Sequence, residues 1–364
     1  MKNDRITIIL FALLLVLPFP SYFLCRNMLD SGNYENRTLA EFPSLTAETI
    51  TEFPTGFDEY LNDHLPFKNQ MTGLNTLMDI KLFNRSSSGK VVFGTDGWLF
   101  YSDVTDGNCV ATYKGIDLFT DEELELIAQR LVTAQTALAQ NGTQFYLFIA
   151  PDKQQIYPEY MPDYITVVGN VRRTEQLVSY LEQNTDIKVL YIKDQLIEKK
   201  EQAPLFYQLD THWNDFGAYI GAKEMLKFIG YPDLLSDYTA ILQQEKYYSG
   251  DLANAAMTGK NYCENNKVLL KGDFGEYTCN ELNYIGVSRY TSNEEHCAPI
   301  KLMVERDSFS DSMIQFVAPL FEKTVYQHRI DFDPRVVWQE CPDIFVYQVV
   351  ERYIYQIKDF TLEP

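Results

Sequence analysis

Beyond about residue 100, short apolar runs alternate with longer segments whose apolar residues recur at helical spacing. The runs at 145–149, 300–304 and 344–350 are apolar at nearly every position. Such runs are typical of strands that are buried on both faces of a sheet. Strands of this kind alternating with helices predict βαβ units, and therefore a three-layer α/β/α domain with a mainly parallel sheet.

The helix signals lie where this arrangement needs them. Thr120 and Glu123 form a capping-box pattern, and the Asn-Gly pair at 141–142 ends the helix that follows. No clear period runs through residues 231–298, which are predicted to be irregular. The remaining predicted helices lie at 71–82, 173–183, 215–229, 311–321 and from 333, and the remaining strands at 91–93, 98–101, 188–192 and 325–330.

The first 25 residues predict a membrane segment. Residues 6–24 are almost wholly apolar, and a helix of that length spans about 28 Å, close to the thickness of a bilayer core. The side chains before Cys25 are bulky, whereas signal-peptide cleavage needs small ones. We therefore expect an uncleaved anchor with the rest of the chain outside the cytoplasm, and secretion after cleavage is the alternative. Basic residues stand on both sides of the segment, so charge alone leaves its orientation open.

Charge narrows the range of ligands. The chain has 51 acidic and 31 basic residues, a formal net charge of −20. Nucleic acid and anionic membrane surfaces need a basic footprint, so neither is expected as a ligand. The 25 Tyr and 23 Phe suit a sugar-binding surface and equally an aromatic core. The six cysteines lack the spacing of zinc or redox motifs, and a disulfide such as Cys263–Cys279 stays open.

Polar residues gather at three junctions, 150–153, 208–214 and 305–310. Parallel α/β sheets bind ligands beyond the carboxyl ends of their strands, which makes these junctions candidate sites. Ser308 stands between a predicted strand and a predicted helix. A serine on such a turn exposes its hydroxyl near backbone N–H groups, as in a nucleophile elbow, although the G-x-S-x-G pattern is absent. Serines near helix starts are usually caps, and Ser310 is the expected cap here, which leaves Ser308 for chemistry.

Asp210 stands two residues before His212, on the same side of an extended segment. A carboxylate so placed can fix the imidazole tautomer and stabilise the imidazolium that forms when a serine gives up its proton. The N-terminus of the helix that follows would help to keep the resting base neutral. The alternatives are that Asp210 or Asn214 only caps that helix while Trp213 packs, or that the pair binds a metal. For a metal, the pair offers two ligands and no third is evident.

Several short motifs occur in an order that resembles a known family. The chain resembles the DHHW-type bacterial proteins and the catalytic domains of alginate O-acetyltransferases, which are SGNH-hydrolase-like. The resemblance implies an SGNH-hydrolase-like α/β/α fold, a triad of Asp210, His212 and Ser308, and an anchored or exported protein that acts on polysaccharide. Thr211 replaces a histidine of the name-giving motif, and that position is not expected to be catalytic. The motifs are Glu35-Asn36-Arg37, Asp63-His64-Leu65-Pro66-Phe67-Lys68, Gly94 to Tyr101, Pro151-Asp152-Lys153, Tyr157-Pro158, Asp210 to Asn214, Gly250-Asp251-Leu252, Arg306 to Phe309 and Glu351-Arg352.

We therefore expect an anchor at 1–25, a region at 26–100 that packs on the main domain, and a catalytic domain at 101–364. The expected function is an extracytoplasmic serine-dependent O-acetyltransferase, or acetylesterase, acting on a cell-surface or exported polysaccharide through an acetyl-Ser308 intermediate. His212 is the expected base and Asp210 orients it. No metal or cofactor is expected.

The resemblance also implies a multispanning acyltransferase partner that carries acetyl groups across the membrane. The alternative is a non-catalytic glycan-binding or assembly protein of a polysaccharide-export system. A separation beyond roughly 5 Å between the Ser308 Oγ atom and the His212 ring would favour that alternative.

Overall fold

The computed structural model describes residues 2–25, 27, 38–46, 49–83, 89–245, 250–256, 265–281 and 286–362. The helices are α1 (Lys2–Val16), α2 (Pro18–Cys25), α3 (Phe53–Asp63), α4 (Lys68–Phe83), α5 (Cys109–Lys114), α6 (Asp121–Gln140), α7 (Lys153–Ile156), α8 (Arg173–Asn184), α9 (Lys193–Lys199), α10 (Asp215–Phe228), α11 (Asp251–Ala255), α12 (Ile314–Val317) and α13 (Pro334–Glu340). The strands are β1 (Val91–Phe93), β2 (Leu99–Tyr101), β3 (Gln144–Ala150), β4 (Val189–Tyr191), β5 (Thr239–Glu245), β6 (Asn265–Lys271), β7 (Tyr277–Glu281), β8 (Val287–Ser292), β9 (Ala298–Arg306), β10 (Phe321–His328) and β11 (Ile344–Val350).

The chain divides into two compact units. One comprises Met1–Ser88 with Ala253–Tyr262, and the other comprises Gly89–Leu252 with Cys263–Pro364. The first unit contains α1 to α4. The predicted domain boundaries at residues 25 and 100 stay predictions.

A seven-stranded sheet forms the centre of the second unit. Its order is β4-β3-β11-β9-β10-β8-β7, and the five strands from β4 to β10 pair in parallel. The strands β3, β11 and β9, which contain the three apolar runs, lie next to one another inside the sheet. The predicted mainly parallel sheet and its central strands are confirmed.

Each face of the sheet has its own apolar core. The core on one face includes Trp213 and Phe309, together with much of α10. The core on the other face includes Leu131 of α6 and Phe345 of β11. Helices therefore cover both faces, as the predicted α/β/α arrangement requires. The capping box at Thr120 is also present, with both of its reciprocal hydrogen bonds.

The prediction that residues 231–298 are irregular is wrong. Strands β5 and β6 pair with each other, while β8 pairs antiparallel with β10 of the main sheet and β7 pairs antiparallel with β8. The β7 and β8 sequences are rich in polar residues, and most of their side chains remain at least partly exposed. Antiparallel strands with a partly solvated face need no continuous apolar run, so the signal that identifies buried parallel strands was absent.

The helix predicted at 311–321 is broken into short pieces. A 3₁₀ turn over Ser308–Ser312 precedes α12, and a second 3₁₀ turn over Ala318–Leu320 contains Pro319. Proline has no N–H group to continue a helical ladder. Strand β10 accordingly begins at Phe321, earlier than the sequence pattern predicts.

Residues Arg5–Cys25 are long and apolar enough to cross a membrane. The helix is interrupted at Leu17, next to Pro18. The cysteines among the described residues are free thiols, Cys279 included. Cys263 lies outside the described residues, so the suggested Cys263–Cys279 disulfide stays a prediction.

The motif Glu35-Asn36-Arg37 also lies outside the described residues.

Candidate active site

Ser308 lies immediately beyond the carboxyl end of β9, at the first position of a 3₁₀ turn. Its side chain is partly exposed, whereas Phe309 and Ser310 are buried. The residue that caps the turn is Asp307, whose Oδ1 atom accepts a hydrogen bond from the Phe309 backbone N–H at 2.9 Å. The cap predicted at Ser310 is therefore wrong, because the carboxylate at the preceding strand end reaches the free N–H first.

The side chain of Gln348, on the neighbouring strand β11, holds this turn in place by hydrogen bonds. Its amide Nε2 atom donates to Asp307 Oδ1 at 2.9 Å, and its Oε1 atom accepts from the Asp307 backbone N–H at 3.1 Å. The same Oε1 atom accepts the hydroxyl of Ser310 at 2.8 Å. These groups are buried, so each hydrogen bond contributes most to stability when all of the bonds in the network are made. The network holds Ser310 inside the protein, whereas the hydroxyl of Ser308 lies outside the network.

The structure brings the three predicted residues together. The Nε2 atom of His212 lies 2.7 Å from Ser308 Oγ, and its Nδ1 atom lies 2.7 Å from Asp210 Oδ1. The Oδ1 atom also accepts the backbone N–H of His212 at 3.0 Å, which holds the two residues in one conformation. A hydroxyl, an imidazole and a carboxylate thus stand in hydrogen-bonding sequence, which is the geometry that a Ser-His-Asp triad requires.

Trp213 and Asn214 attach this segment to the rest of the domain. The indole N–H of Trp213 donates to the Phe309 carbonyl at 2.9 Å, which links the His212 segment directly to the Ser308 turn. Asn214 caps α10 by accepting from the backbone N–H groups of Phe216 and Gly217. The expectation that Asn214 caps and Trp213 packs is thus met in the same structure that forms the triad, so the two interpretations are compatible.

Burial and the nearby carboxylates have opposite effects on the pKa of His212. Burial alone would lower the pKa of His212, but the hydrogen bond and charge of Asp210, with the charge of Asp251, raise it above its ordinary value of 6.5. Arg352 opposes this rise. For Asp210, burial would raise the pKa, yet the hydrogen bonds and charge of His212 and the Asp251 N–H lower it to about 2. Asp210 is therefore ionised throughout the range in which His212 titrates.

Asp251 is a functional candidate that the sequence patterns near His212 did not reveal. Its backbone N–H donates to Asp210 Oδ2 at 3.0 Å, and its carboxylate accepts the N–H and hydroxyl of Thr211 at 2.7 and 2.5 Å. Its Oδ2 atom lies 3.8 Å from His212 Nδ1. The only sequence signal was its place in the Gly250-Asp251-Leu252 motif. A second carboxylate therefore stands behind the imidazole.

Asp210, His212 and Asp251 offer donor atoms that lie within 4.8 Å of one another, so a third ligand for a metal does exist. However, the donor atoms are engaged with each other and with Thr211 in hydrogen bonds. Carboxylates whose oxygens already accept hydrogen bonds from neighbouring N–H and O–H groups need no ion to explain their grouping. We interpret the cluster as a hydrogen-bonded support for His212.

Lys153 supports the same segment from inside the protein. Its Nζ atom donates to the backbone carbonyls of Tyr207, Gln208 and Asp210 at 3.0, 3.1 and 2.7 Å. An ammonium group has three N–H donors, so the three carbonyls match its charged form. The side chain is 2% exposed. Burial lowers the pKa of Lys153 to about 7, and the charges of Asp251 and Asp210 oppose this fall.

Gly250 permits the close approach of the Asp251 segment. A Cβ atom at position 250 would lie 1.9 Å from the backbone oxygen of Leu209. No side chain fits at that distance, so glycine is required where the segment containing Asp251 crosses the one containing Asp210.

These features define an SGNH-hydrolase-like α/β domain. Residues 91–268 match the family described as the SGNH hydrolase-like domain of the acetyltransferase AlgX. The resemblance to DHHW-type proteins and to alginate O-acetyltransferases is confirmed. The family match ends before Ser308, so the assignment of the serine depends on geometry.

Relatives and solved structures agree with this class. The chain is 29% identical over 208 residues to a probable alginate O-acetylase AlgJ of Pseudomonas syringae pv. tomato, covering 54% of this chain and 48% of that protein. It is similar in fold to Bacillus cereus PatB1, with a TM-score of 0.53 and 13% identity over 72% of this chain and 96% of that one. A DHHW family protein from Eubacterium siraeum gives a TM-score of 0.51 and 14% identity, over 75% of this chain and 99% of that one. The chain spans about half the length of the curated relatives that it matches.

The first prediction concerns Lys153. Replacing Lys153 with Met keeps the length of the side chain but leaves three carbonyl groups without their donor. We expect labelling of Ser308 by a fluorophosphonate to slow by at least tenfold, and the free energy of unfolding to fall by about 1–3 kcal/mol. Lys200→Met is the matched control, because Lys200 also donates to a backbone carbonyl, that of Ile156, but not within this segment. Labelling at the wild-type rate in Lys153→Met, measured by intact mass, would contradict the positioning role.

The second prediction concerns Asp251. Replacing Asp251 with Asn removes a negative charge near His212 while keeping an oxygen that can accept from Thr211. The pKa of His212 should fall, so the rise of the labelling rate with pH should have its midpoint at lower pH than in the wild type. Because 42% of the Asp251 side chain is exposed, solvent screens its charge and the shift should be smaller than that of Asp210→Asn. A midpoint that stays in place, or moves to higher pH, would show that Asp251 does not act on His212.

Proposed function

We propose that this chain is a serine-dependent O-acetyltransferase that acts on a polysaccharide outside the cytoplasm. The observation that carries the proposal is the continuous hydrogen-bonded sequence from Asp210 through His212 to Ser308, with both steps at 2.7 Å. Support for acetyl as the transferred group comes from the relatives' names, since the matched proteins are described as probable alginate O-acetylases.

In the first step, Ser308 Oγ attacks the carbonyl carbon of an acetyl ester while His212 Nε2 takes the hydroxyl proton. The tetrahedral intermediate then collapses to acetyl-Ser308. His212 returns the proton to the oxygen of the departing alcohol. Asp210 keeps the Nδ1 proton of His212 in place and stabilises the imidazolium that exists between these two transfers.

In the second step, a sugar hydroxyl attacks the acetyl-Ser308 carbonyl. His212 takes the proton of that hydroxyl and returns it to Ser308 Oγ, so the enzyme is regenerated and the sugar is acetylated. Water in place of the sugar would give acetate instead, which is the esterase outcome. The partial exposure of Ser308 gives an acceptor access to the intermediate.

The turn itself limits where the oxyanion can be held. The backbone N–H of Phe309 is committed to Asp307 Oδ1, so it is not free to stabilise negative charge on the substrate. We propose the N–H of Ser308 as one donor to the oxyanion. Preorganised donors of this kind provide much of the rate enhancement in acyl transfer.

The alternative, a protein that binds glycans without turnover, predicts no particular relation between Ser308 and His212. Their 2.7 Å contact falls within the roughly 5 Å limit that a working base requires. The geometry therefore favours the enzyme.

An anchored setting is proposed because Arg5–Cys25 is long and apolar enough to span a bilayer. A multispanning partner that delivers acetyl groups is part of the same proposal.

The third prediction tests the triad. Exposure of the full-length chain to an activated acetyl ester should add about 42 Da, the mass of one acetyl group, at Ser308. Ser308→Ala and His212→Ala should each reduce acetyl transfer by roughly 10³-fold or more, about 4 kcal/mol of transition-state stabilisation. Asp210→Asn should cost somewhat less. The Ser308/His212 double variant should be barely worse than either single one, because the residues act as a unit.

Ser312→Ala is the matched control for these variants. It removes a hydroxyl from the same turn but outside the network around Gln348, so acetylation should continue. If Ser310→Ala abolished the adduct while Ser308→Ala retained it, the nucleophile would be Ser310 and the assignment of Ser308 would be wrong. Wild-type turnover in every variant would rule out the triad altogether.

The fourth prediction concerns the N-terminal helix. The mature protein should retain its first 24 residues and sediment with membranes after alkaline extraction. Leu14→Lys places a charge at a position that is 71% exposed, which should cost about 2.5–3.5 kcal/mol of insertion and release protein to the supernatant. N-terminal sequencing of the mature protein tests retention directly. A first residue between 20 and 35 would establish a cleaved signal instead of an anchor.

A further inference from the structure

A second polar region lies on the sheet face opposite the triad. Successive residues of a strand point to opposite faces. Gln348 points toward the Ser308 turn, so its neighbour Tyr347 points to the other face, where it belongs to the second apolar core. Glu305 pairs with Tyr347 across β9 and β11, and it lies two residues after Met303 of that same core, so the two side chains point to the same face. Glu305 therefore also lies away from the triad.

A cavity of about 420 Å³ lies at this position. That volume falls within the ~300–1,000 Å³ range of small-molecule sites and far exceeds the ~30 Å³ share of one water. Its walls combine aromatic rings with a carboxyl and a guanidinium group. The residues that matter here are Glu305, Arg329, Phe332, Tyr347, Tyr355 and Phe360.

Two polar atoms in this wall have no hydrogen-bond partner among the described residues. Glu305 is only 3% exposed, and within the described part of the chain its Oε2 atom has no hydrogen-bond partner. The Nε atom of Arg329 is likewise buried without an acceptor among the described residues. A buried polar atom without a partner costs about 1–3 kcal/mol, so two in one cavity indicate that something else satisfies them.

The charges of the wall favour a neutral ligand. Burial raises the pKa of Glu305 well above its ordinary value, and the charge of Arg329 opposes this only in part. A neutral carboxyl both donates and accepts hydrogen bonds. The guanidinium of Arg329 lies 3.8 Å from the centre of the Tyr353 ring and donates to Gln356, and the carboxylate of Asp359 also lines the cavity. The wall thus carries one cationic and one anionic side chain beside a carboxyl group that can both donate and accept.

We propose that this cavity binds one neutral sugar residue, separate from the triad. The hydroxyls of a pyranose can satisfy both Glu305 Oε2 and Arg329 Nε, and its apolar ring face can pack on the aromatic side chains. Aromatic walls with a few convergent polar groups are the usual composition of such sites. The inference does not depend on the triad being active.

The test is saturation-transfer NMR on the full-length chain in a detergent without a sugar headgroup. The probes are the methyl glycosides of glucose, galactose and mannose, with N-acetylglucosamine. At least one should show transfer from the protein, and Glu305→Leu should weaken its affinity by at least tenfold. Leucine fills the space of the carboxyl without an unpaired polar atom, so the fold should tolerate it. Glu322→Leu, at an exposed position on β10, is the matched control and should bind as the wild type does.

Ser308→Ala separates this site from the proposed active site. The sugar signal should persist in that variant even though acetylation of the protein is lost. No transfer with any of the four probes would overturn the inference, as would ordered water alone in the cavity of a crystal soaked with them. A signal that disappears in Ser308→Ala but remains in Glu305→Leu would place the sugar at the triad and would equally overturn it.

Discussion

The candidate site depends on one buried pairing, in which Gln348 and Asp307 satisfy each other across the ends of two adjacent parallel strands. Each makes bonds that no solvent could replace, since both lie inside the protein. The end of β9 therefore cannot move without leaving an amide or a carboxylate unpaired in the core. Ser308 follows directly from this fixed point. A nucleophile needs placement within a fraction of an ångström, and the core supplies it here without a glycine-rich elbow.

The segment that carries His212 is held in place in a different way. The segment has no regular secondary structure of its own, so its carbonyl groups would have to be satisfied elsewhere. Lys153 does this at three carbonyls, while Trp213 joins the segment to Phe309 on the serine side. One half of the site is thus held by strand ends, and the other by side chains that bind the irregular segment, chiefly Lys153 and Trp213. This division explains why residues nearly a hundred positions apart meet at hydrogen-bonding distance.

The sequence patterns identified what is local or uniformly apolar. The runs of β3, β9 and β11 and the capping box of α6 were readable because each depends on neighbouring residues alone. Strands β7 and β8 were missed because antiparallel strands with a partly solvated face have no continuous apolar signal. The Asp210-His212 pair and Ser308 could be proposed from their positions at element ends and from the family resemblance. Asp251 and the three acceptors of Lys153 could not, because their roles come from contacts between distant segments that leave no periodic trace.

The charges around His212 and the exposure of the site bear on the proposed acyl acceptor. Asp210 and Asp251 together raise the pKa of His212, so a larger share of the imidazole is protonated near neutral pH than in an isolated side chain. That arrangement leaves less of the imidazole unprotonated at neutral pH, but it makes the unprotonated form a stronger base and stabilises the imidazolium on which both halves of the proposed acyl transfer depend. Since Ser308 and His212 remain partly exposed, nothing in the described part of the site closes over the acyl group by itself. Under the proposed mechanism, an acceptor chain that covers the site as it binds would favour transfer to a sugar over transfer to water, and a polymer can do this better than a small alcohol because its neighbouring residues displace solvent.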